Sequence, residues 1–395
     1  MGCRQRSKLC QHTLDSLTRR ASSDGLLRGA PNCVNGGRSA RRRRDRWAAK
    51  WAVLQSELEH GVLSVKVLSA REAIKNRSRQ GDFAVWALWE EQAAAAGYDT
   101  TTPDMGGARA YNGLLTPRIS PKFKLGANPK VFASGSCFAR ELESAMARDG
   151  GSVVSWTPDS GIEGEILNRY NTYSIGNDFE FAFRDSYDER LAIETPWGWI
   201  DYTAAGRSAT QAELVEKRLQ VIRLHRNVLE ADVMIITLGL IEAWFDRETN
   251  RYLNATPGEV LSSNLSRYEC RITDYSENLQ ALQALVVSLR EFAGKDLKIV
   301  ITVSPVPFTA TFSSADVVQA NTLSKSTLRT VAQAIADQDP LIDYFPSYEI
   351  VTLSDPQVAW LPDHRHVRHE AVRHVVQTFR NAYLEQGDSE GVNAA

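Results

Sequence analysis

The sequence predicts an α/β fold with a mostly parallel central sheet that helices cover on both faces. The first observation is a short β run at 131–133, which leads through small residues into an amphipathic helix closed by Gly150 and Gly151. The second is that long helical patterns then alternate with short runs rich in Val and Ile, as they do in βαβ units. A helical extension is predicted before this core.

Three further helix–strand units follow the first along the chain. Their helical patterns and apolar runs lie at 211–230 and 233–237, at 276–293 and 298–303, and at 317–335 and 341–344. In 245–258, "FDRETNRYLNATPG", polar turn residues stand between aromatic positions, which is typical of a β-hairpin. A final amphipathic pattern at 368–384 predicts the helix that closes the chain.

The region before the core divides into a tail and an extension. Residues 1–50 hold 13 Lys or Arg against 3 Asp, within a stretch rich in Gly, Ser and Asn, which favours a solvated, disordered tail. There are two alternatives to a disordered tail. The tail contacts nucleic acid or an anionic membrane, or it is a translated upstream leader. Helical spacing recurs at 47–60 and 82–95. We therefore divide the chain into a tail at 1–48, a helical extension and linker at 49–109, a core domain at 110–385 and a disordered C-terminus at 386–395.

Composition argues against several classes of protein. The sequence has no run of 18 apolar residues and no apolar segment of a secretory signal, so we expect no membrane span and a cytoplasmic location. The five cysteines are odd in number and lack CxxC or other zinc spacing, so reduced thiols are expected. The net charge is −2, and no nucleic-acid partner is expected for the core.

Ser136 is the candidate nucleophile. The first strand ends in Ser134-Gly135-Ser136-Cys137, where the glycine allows a sharp turn and the following helix points its free N–H groups at incoming negative charge. In an open parallel sheet, ligands bind at the carboxyl ends of the strands. The alternative is that Ser136 only caps the helix. Cys137 is a second conceivable nucleophile, although a side chain at that place more often packs into the core.

A candidate base lies near the other end of the chain. The segment "WLPDHRHVRHEAV" places Asp363 and His366 three residues apart, a spacing that lets the carboxylate hold Nδ1–H of the imidazole while Nε2 accepts the serine proton. Competitors for this role are His364, His369 and His374. A histidine cluster can also bind metal, yet no HExxH or comparable ligand pair is present.

Six motifs carry a resemblance to a known family. They are "GSCFA" at 135–139, "TLGLIEAW" at 237–244, "SPVPFTATF" at 304–312, "ANTLSKSTLR" at 320–329, "YFPSYEIV" at 344–351 and the D-x-x-H of 363–366. Over residues 110–385 the chain resembles the GSCFA domain proteins of the SGNH or GDSL hydrolase superfamily. The resemblance implies a three-layer α/β/α sandwich, and it implies that Ser136, Asp363 and His366 supply the serine and the D-x-x-H pair of the superfamily. It also implies ester substrates, often acetylated sugars, and neither a metal nor an organic cofactor.

One position departs from the superfamily pattern. The superfamily has a G-x-N block after a central strand, and its asparagine side chain donates to the oxyanion; counting from Gly239, Ile241 stands at that position. Substitute donors are the backbone N–H of Ser136, Gly239, and Asn171 from "NRYNTYS", for which an ordinary turn or structural role is the alternative. Glu242, one place further on, is expected to be a structural acid or a gate.

These residues predict a serine-dependent ester hydrolase or acyltransferase that acts on O-acyl substrates, such as small or carbohydrate esters. Ile241 motivates a second hypothesis, in which the protein keeps the fold and binds a ligand without turnover. In a third, weaker hypothesis the basic tail carries the function through a nucleic-acid or membrane partner.

Overall fold

Five parallel strands form the central sheet. The computed structural model describes residues 68–87, 105–155, 162–204, 206–261 and 263–385. Its strands, numbered along the chain, are β1 (Lys130–Gly135), β2 (Ser152–Val153), β3 (Ile193–Thr195), β4 (Gly198–Asp201), β5 (Gly206–Ser208), β6 (Val233–Leu238), β7 (Glu242–Asp246), β8 (Arg251–Tyr252), β9 (Tyr268–Ile272), β10 (Lys298–Val303) and β11 (Ile342–Tyr344). The central sheet has the order β11-β10-β6-β1-β2, and β3-β4-β5 and β8-β7-β9 form two small antiparallel sheets.

The helices lie between these strands along the chain. They are α1 (Ala70–Gln80), α2 (Gly106–Arg109), α3 (Cys137–Arg148), α4 (Thr172–Arg184), α5 (Gln211–His225), α6 (Gly258–Leu261), α7 (Tyr275–Ala293), α8 (Val317–Gln338), α9 (Ser347–Thr352), α10 (Pro356–Ala359) and α11 (His369–Tyr383), with 3-10 turns at Gly81–Ala84, Gly164–Leu167, Glu189–Leu191 and Arg226–Glu230. The chain divides into a unit at 1–75, of which 68–75 are described, and a unit at 76–395. No helix among the described residues is long and apolar enough to cross a membrane.

Two apolar clusters cover the two faces of the central sheet, because successive strand residues point to opposite sides. Met234, Ile236, Ile299 and Ile301 pack in one cluster with leucines of α7 and α8. On the other face, strand residues pack with α3 and α11; they are Val131, Ala133, Val233, Ile235 and Val300. These clusters make the three-layer α/β/α arrangement that the sequence predicts.

The strand order creates a switch point at the carboxyl ends of β1 and β6. These strands are parallel neighbours in a register that pairs Val131 with Val233 and Gly135 with Thr237. From β1 the sheet grows through β2 on one side and through β6, β10 and β11 on the other. The crevice where the order reverses is the usual ligand site of such sheets, and Ser136 leaves β1 at this place.

Most predicted core elements match the observed ones. The run at 298–303 is β10, the hairpin pattern after Trp244 is β7 and β8, and the last helix is α11. The predicted helix at 47–60 lies outside the described residues. Of the one at 82–95, residues 82–84 belong to a 3-10 turn, and 85–87 are not helical because the carbonyls of Val85 and Trp86 accept N–H groups of Gly106 and Gly107. Residues 88–95 lie outside the described part.

Candidate active site

Ser136 directly follows a turn that requires glycine at position 135. Gly135 has a φ of 148°, and a Cβ on it would lie 2.3 Å from the carbonyl oxygen of Thr237. Ser136 occupies the N-cap position of α3, but its side chain makes no capping hydrogen bond. Its Oγ is buried and has no hydrogen-bond partner among the described residues. Because buried hydroxyls normally have partners, this one is a candidate for a reacting group rather than a cap.

A loop from 168 to 171 crosses the ends of β1 and β6 beside this serine. The N–H of Arg169 donates to Gly135 O over 2.7 Å, and the N–H of Leu240 donates to Tyr170 O over 2.8 Å. A Cβ on Gly239 would lie 2.5 Å from Tyr170 O, so the second glycine lets the loop approach the strand end. Asn168 forms a parallel bridge with Gly135, which makes it the neighbour of the nucleophile turn.

Buried polar contacts hold this crossing loop in place. Asn254, in the segment after β8, accepts the N–H of Tyr170 over 2.8 Å and donates to Asn168 O over 2.9 Å. The fully buried guanidinium of Arg169 donates to Ile166 O and Asn168 O, each over 2.7 Å, and pairs with Asp178 at 2.5 Å. The hairpin that projects from the sheet therefore positions the site through Asn254.

Asp178 is the centre of a buried charge network. Arg169 and Arg218 both pair with it, and Arg218 pairs further with Asp201 at 2.8 Å. Burial alone would raise the pKa of Asp178, but the neighbouring cations hold it well below its usual range. A buried pair with one partner removed leaves an uncompensated charge, which costs about 3–5 kcal/mol. The network therefore makes the crossing loop rigid.

Asp363 and His366 form the expected pair. Oδ2 of Asp363 lies 2.5 Å from Nδ1 of His366, and Oδ1 accepts the backbone N–H groups of Arg365 and His366 at 3.0 Å each. The hydrogen bond from the His366 side chain, and then those from the two backbone groups, hold the pKa of Asp363 well below its usual range. The carboxylate is thus ionised at pH 7 and fixes the ring so that Nε2 is free to act as a base.

The three competing histidines have other surroundings. His364 has a φ of 52° and is exposed, His369 lies 3.8 Å from Glu141, and Nε2 of His374 lies 3.0 Å from Leu115 O. None of them has an aspartate at its Nδ1 in the described part of the chain. In the same region, no group of three or more His, Cys, Asp or Glu side chains is arranged to hold a metal ion.

Arg365 is the side chain next to Nε2 of His366. Nη1 of Arg365 lies 3.3 Å from Nε2 of His366, and Ser136 Oγ has no partner, so serine and histidine do not share a hydrogen bond in this conformation. Burial raises the pKa of the Cys137 thiol, and the charges of Arg365 and Lys325 act against that rise. Arg365 of the D-x-x-H loop therefore lies within electrostatic range of the residue next to Ser136.

Comparison with known proteins identifies the family. The GSCFA family model matches residues 130–379. This chain belongs to the GSCFA family. Among solved structures, the chain is distantly similar to the Clostridium thermocellum family 3 carbohydrate esterase, with 10% identity and a TM-score of 0.29 over 64% of this chain and 94% of that one. No curated protein sequence matches this chain.

The G-x-N position of this GSCFA protein is part of its core. Ile241 is 2% exposed and packs in the cluster under α7 and α8. Its N–H donates to Ser324 Oγ over 3.1 Å, and its carbonyl accepts the N–H and hydroxyl of Thr273. No polar group of Ile241 is therefore available to a ligand.

Two of the expected oxyanion or substrate residues have structural partners. Asn171 is the N-cap of α4: Oδ1 accepts the N–H of Ser174, and Nδ2 donates to Leu253 O over 2.9 Å. Glu242 accepts the Thr311 hydroxyl over 2.5 Å and the Phe312 N–H over 2.7 Å. Asn171 thus acts as a helix cap, which was the alternative, and Glu242 as a structural acid that fixes the loop after β10. Gly239 remains beside the site through its carbonyl, which accepts from Lys325.

Sequence reasoning missed Lys325, Arg365 and Asn254. Lys325 lies on the buried face of α8 with Ala320, Ser324 and Leu328, and is 2% exposed. A lysine at a position where helical spacing requires an apolar residue was a detectable signal within "ANTLSKSTLR". Arg365 and Asn254 had no such signal, because an arginine or asparagine in a loop is ordinary.

Proposed function

We propose that this GSCFA protein is a serine-dependent, SGNH-like ester hydrolase that acts on O-acyl substrates, acetylated carbohydrates being the class that the family resemblance implies. The observation that carries the proposal is the buried, unbonded Ser136 hydroxyl at the start of α3, on the switch point of the sheet. The Asp363–His366 pair supports it as a source of the base. Both thiols in the described residues, Cys137 and Cys270, are unpaired, which supports a reducing compartment such as the cytoplasm.

The proposed reaction begins when Ser136 Oγ attacks the acyl carbon. Its proton passes to Nε2 of His366, and the carbonyl π electrons move to the oxygen to give a tetrahedral oxyanion. Collapse of this intermediate breaks the bond to the alcohol, which leaves with the proton from His366. Water, or the hydroxyl of a second substrate, then attacks the acyl-serine and gives its proton to Nε2 of His366. The second tetrahedral intermediate collapses, the bond to Ser136 Oγ breaks, and His366 returns the proton to the serine. With water the protein is a hydrolase, and with a hydroxyl it is an acyltransferase.

The first step requires His366 to change partners. Nε2 of His366 must exchange its contact with Arg365 for one with Ser136 Oγ, and both His366 and Asp363 have about half of their side-chain surface exposed (53% and 47%). Exposed side chains change rotamer in nanoseconds, and catalytic hydrogen bonds are often long in the free enzyme. The proposed mechanism therefore includes a movement of His366 before the serine attacks.

Ile241 favours one other function. Because the G-x-N donor is replaced by a packed isoleucine, the second candidate is a binding protein that retains the fold and takes up an ester or carbohydrate without turnover.

A substrate screen separates the two. Wild-type protein, Ser136→Ala, His366→Ala and the control His364→Ala are assayed on short-chain p-nitrophenyl esters and acetylated sugars, with product analysis in the presence of a sugar acceptor, and labelled with a fluorophosphonate. We expect labelling and turnover in wild type and His364→Ala, none in Ser136→Ala, and a comparable loss in His366→Ala, because such residues act as a unit. Ligand binding without labelling or turnover in wild type would support the binding protein instead.

A further inference from the structure

Lys325 is a buried cation at the catalytic end of the sheet. Its Nζ donates to Gly239 O over 2.8 Å, just beyond the end of β6. In the described part of the chain no carboxylate forms an ion pair with it, and Gly239 is the one acceptor found for its three N–H groups. The remaining two N–H groups have no acceptor there.

This arrangement is unfavourable for folding. Burial lowers the pKa of Lys325 to about 7, and only the charge of Cys137 acts to raise it. A buried ammonium without a carboxylate is costly, and an apolar residue of similar size at the same position is often neutral or stabilising. Groups kept under such a penalty inside a cleft are candidates for function.

The position of Lys325 matches the missing donor. Ser324 and Lys325 of α8 together hold the turn after β6, since Ser324 Oγ accepts the N–H of Ile241 and Lys325 donates to Gly239 O. That turn, at 239–241, stands where the superfamily has its G-x-N block. Thr237, two residues before Gly239, is the register partner of Gly135, which precedes Ser136. The ammonium therefore lies at the turn that lacks its asparagine, which follows the strand next to the nucleophile turn.

We propose that the Lys325 ammonium, together with the amino terminus of α3, stabilises the oxyanion and replaces the asparagine of the G-x-N block. The inference rests on the proposed esterase function. As the bond from Ser136 Oγ to the acyl carbon forms, the carbonyl oxygen gains a negative charge that the ammonium balances without giving up a proton. A preorganised charge in a water-poor site stabilises such an oxyanion more than it stabilises the neutral ester.

The test compares Lys325→Met and Lys325→Gln with wild type on p-nitrophenyl acetate at pH 6, where the folded chain holds the Lys325 proton. We expect kcat to fall roughly 10²–10³-fold with KM nearly unchanged, the usual loss of one oxyanion donor, and phenylboronic acid, which forms a tetrahedral anion on the serine, to bind more weakly by a similar factor. Lys325→Gln keeps a donor for Gly239 O without the charge, so it remains informative if the methionine variant does not fold. Both variants are checked for a cooperative melting transition at a temperature no lower than that of wild type.

Two controls isolate the charge. Lys295→Met removes a lysine that also donates to backbone carbonyls, those of Leu229 and Ala231, but before β6 begins, and should leave kcat unchanged. Ser324→Ala loosens the same turn without removing charge, and should cost much less than Lys325→Met. Folded Lys325 variants with kcat within about threefold of wild type, or Ser324→Ala as severe as Lys325→Met, overturn the inference. A wild-type protein without labelling or turnover overturns the proposed function itself, which is a separate result.

Discussion

Replacing Lys325 by methionine should change how stability depends on pH. Burial lowers the pKa of Lys325 from the ordinary 10.5 to about 7. This difference of about 3.5 units corresponds to about 5 kcal/mol, at about 1.36 kcal/mol per unit. It is the free energy by which burial disfavours the charged form in the folded state.

The sign of this pH dependence follows from the protonation of Lys325 in the folded and the unfolded chain. Below pH 7 both the folded and the unfolded chain hold the proton, and the folded state carries the whole penalty. Between about pH 7 and 10.5 the unfolded chain holds it and the folded chain does not, so the free energy of unfolding rises with pH by about 1.4 kcal/mol per unit. Lys325→Met lacks this rise. From pH 6 to pH 9, the free energy of unfolding of wild type should rise by about 3 kcal/mol relative to that of the variant.

Urea unfolding followed by circular dichroism at pH 6, 7, 8 and 9 measures this difference. Because Cys137 is the titratable side chain whose charge acts on Lys325, both chains carry Cys137→Ala. The surface variant Lys295→Met serves as a control and should follow the wild-type slope. If the free energies of unfolding of the two chains change with pH by the same amount over this range, Lys325 is not desolvated and the reasoning is refuted.

Three further substitutions test the frame of the site. Gly135→Ala should destabilise the fold by more than about 1 kcal/mol and abolish fluorophosphonate labelling, because its Cβ meets Thr237 O at 2.3 Å; normal labelling would contradict the strained turn. Asp178→Asn should lower the free energy of unfolding in urea by about 3–5 kcal/mol, since the buried Arg169 loses its carboxylate partner and Arg218 keeps only Asp201, and a loss below about 1 kcal/mol would show that the network is not tightly coupled. Asn171→Ala should cost about 1 kcal/mol as a lost helix cap while kcat on p-nitrophenyl acetate stays near wild type; a kcat loss of 10²-fold would restore Asn171 as an oxyanion donor.

Local patterns predicted the central elements well. β10 is a run of six residues with the pattern Lys-Ile-Val-Ile-Thr-Val, and strands buried on both faces read as such continuous apolar runs. α4 was missed because its capping box begins at Asn171, a polar residue that equally suits a turn or a ligand contact. The strands β3, β4 and β5 are three or four residues long, too short for a clear alternation.

The sequence by itself determined the α/β class, the family motifs, Ser136 at a strand–helix turn, and the D-x-x-H pair, because each depends on residues close together in the chain. Only the tertiary structure decided which residues surround the serine. The loop at 168–171, Asn254 of the hairpin segment and Lys325 of α8 reach the ends of β1 and β6 from distant parts of the chain. Strand order and helix packing, which sequence spacing does not encode, bring them together, and burial between those layers turns an ordinary lysine into an unpaired cation.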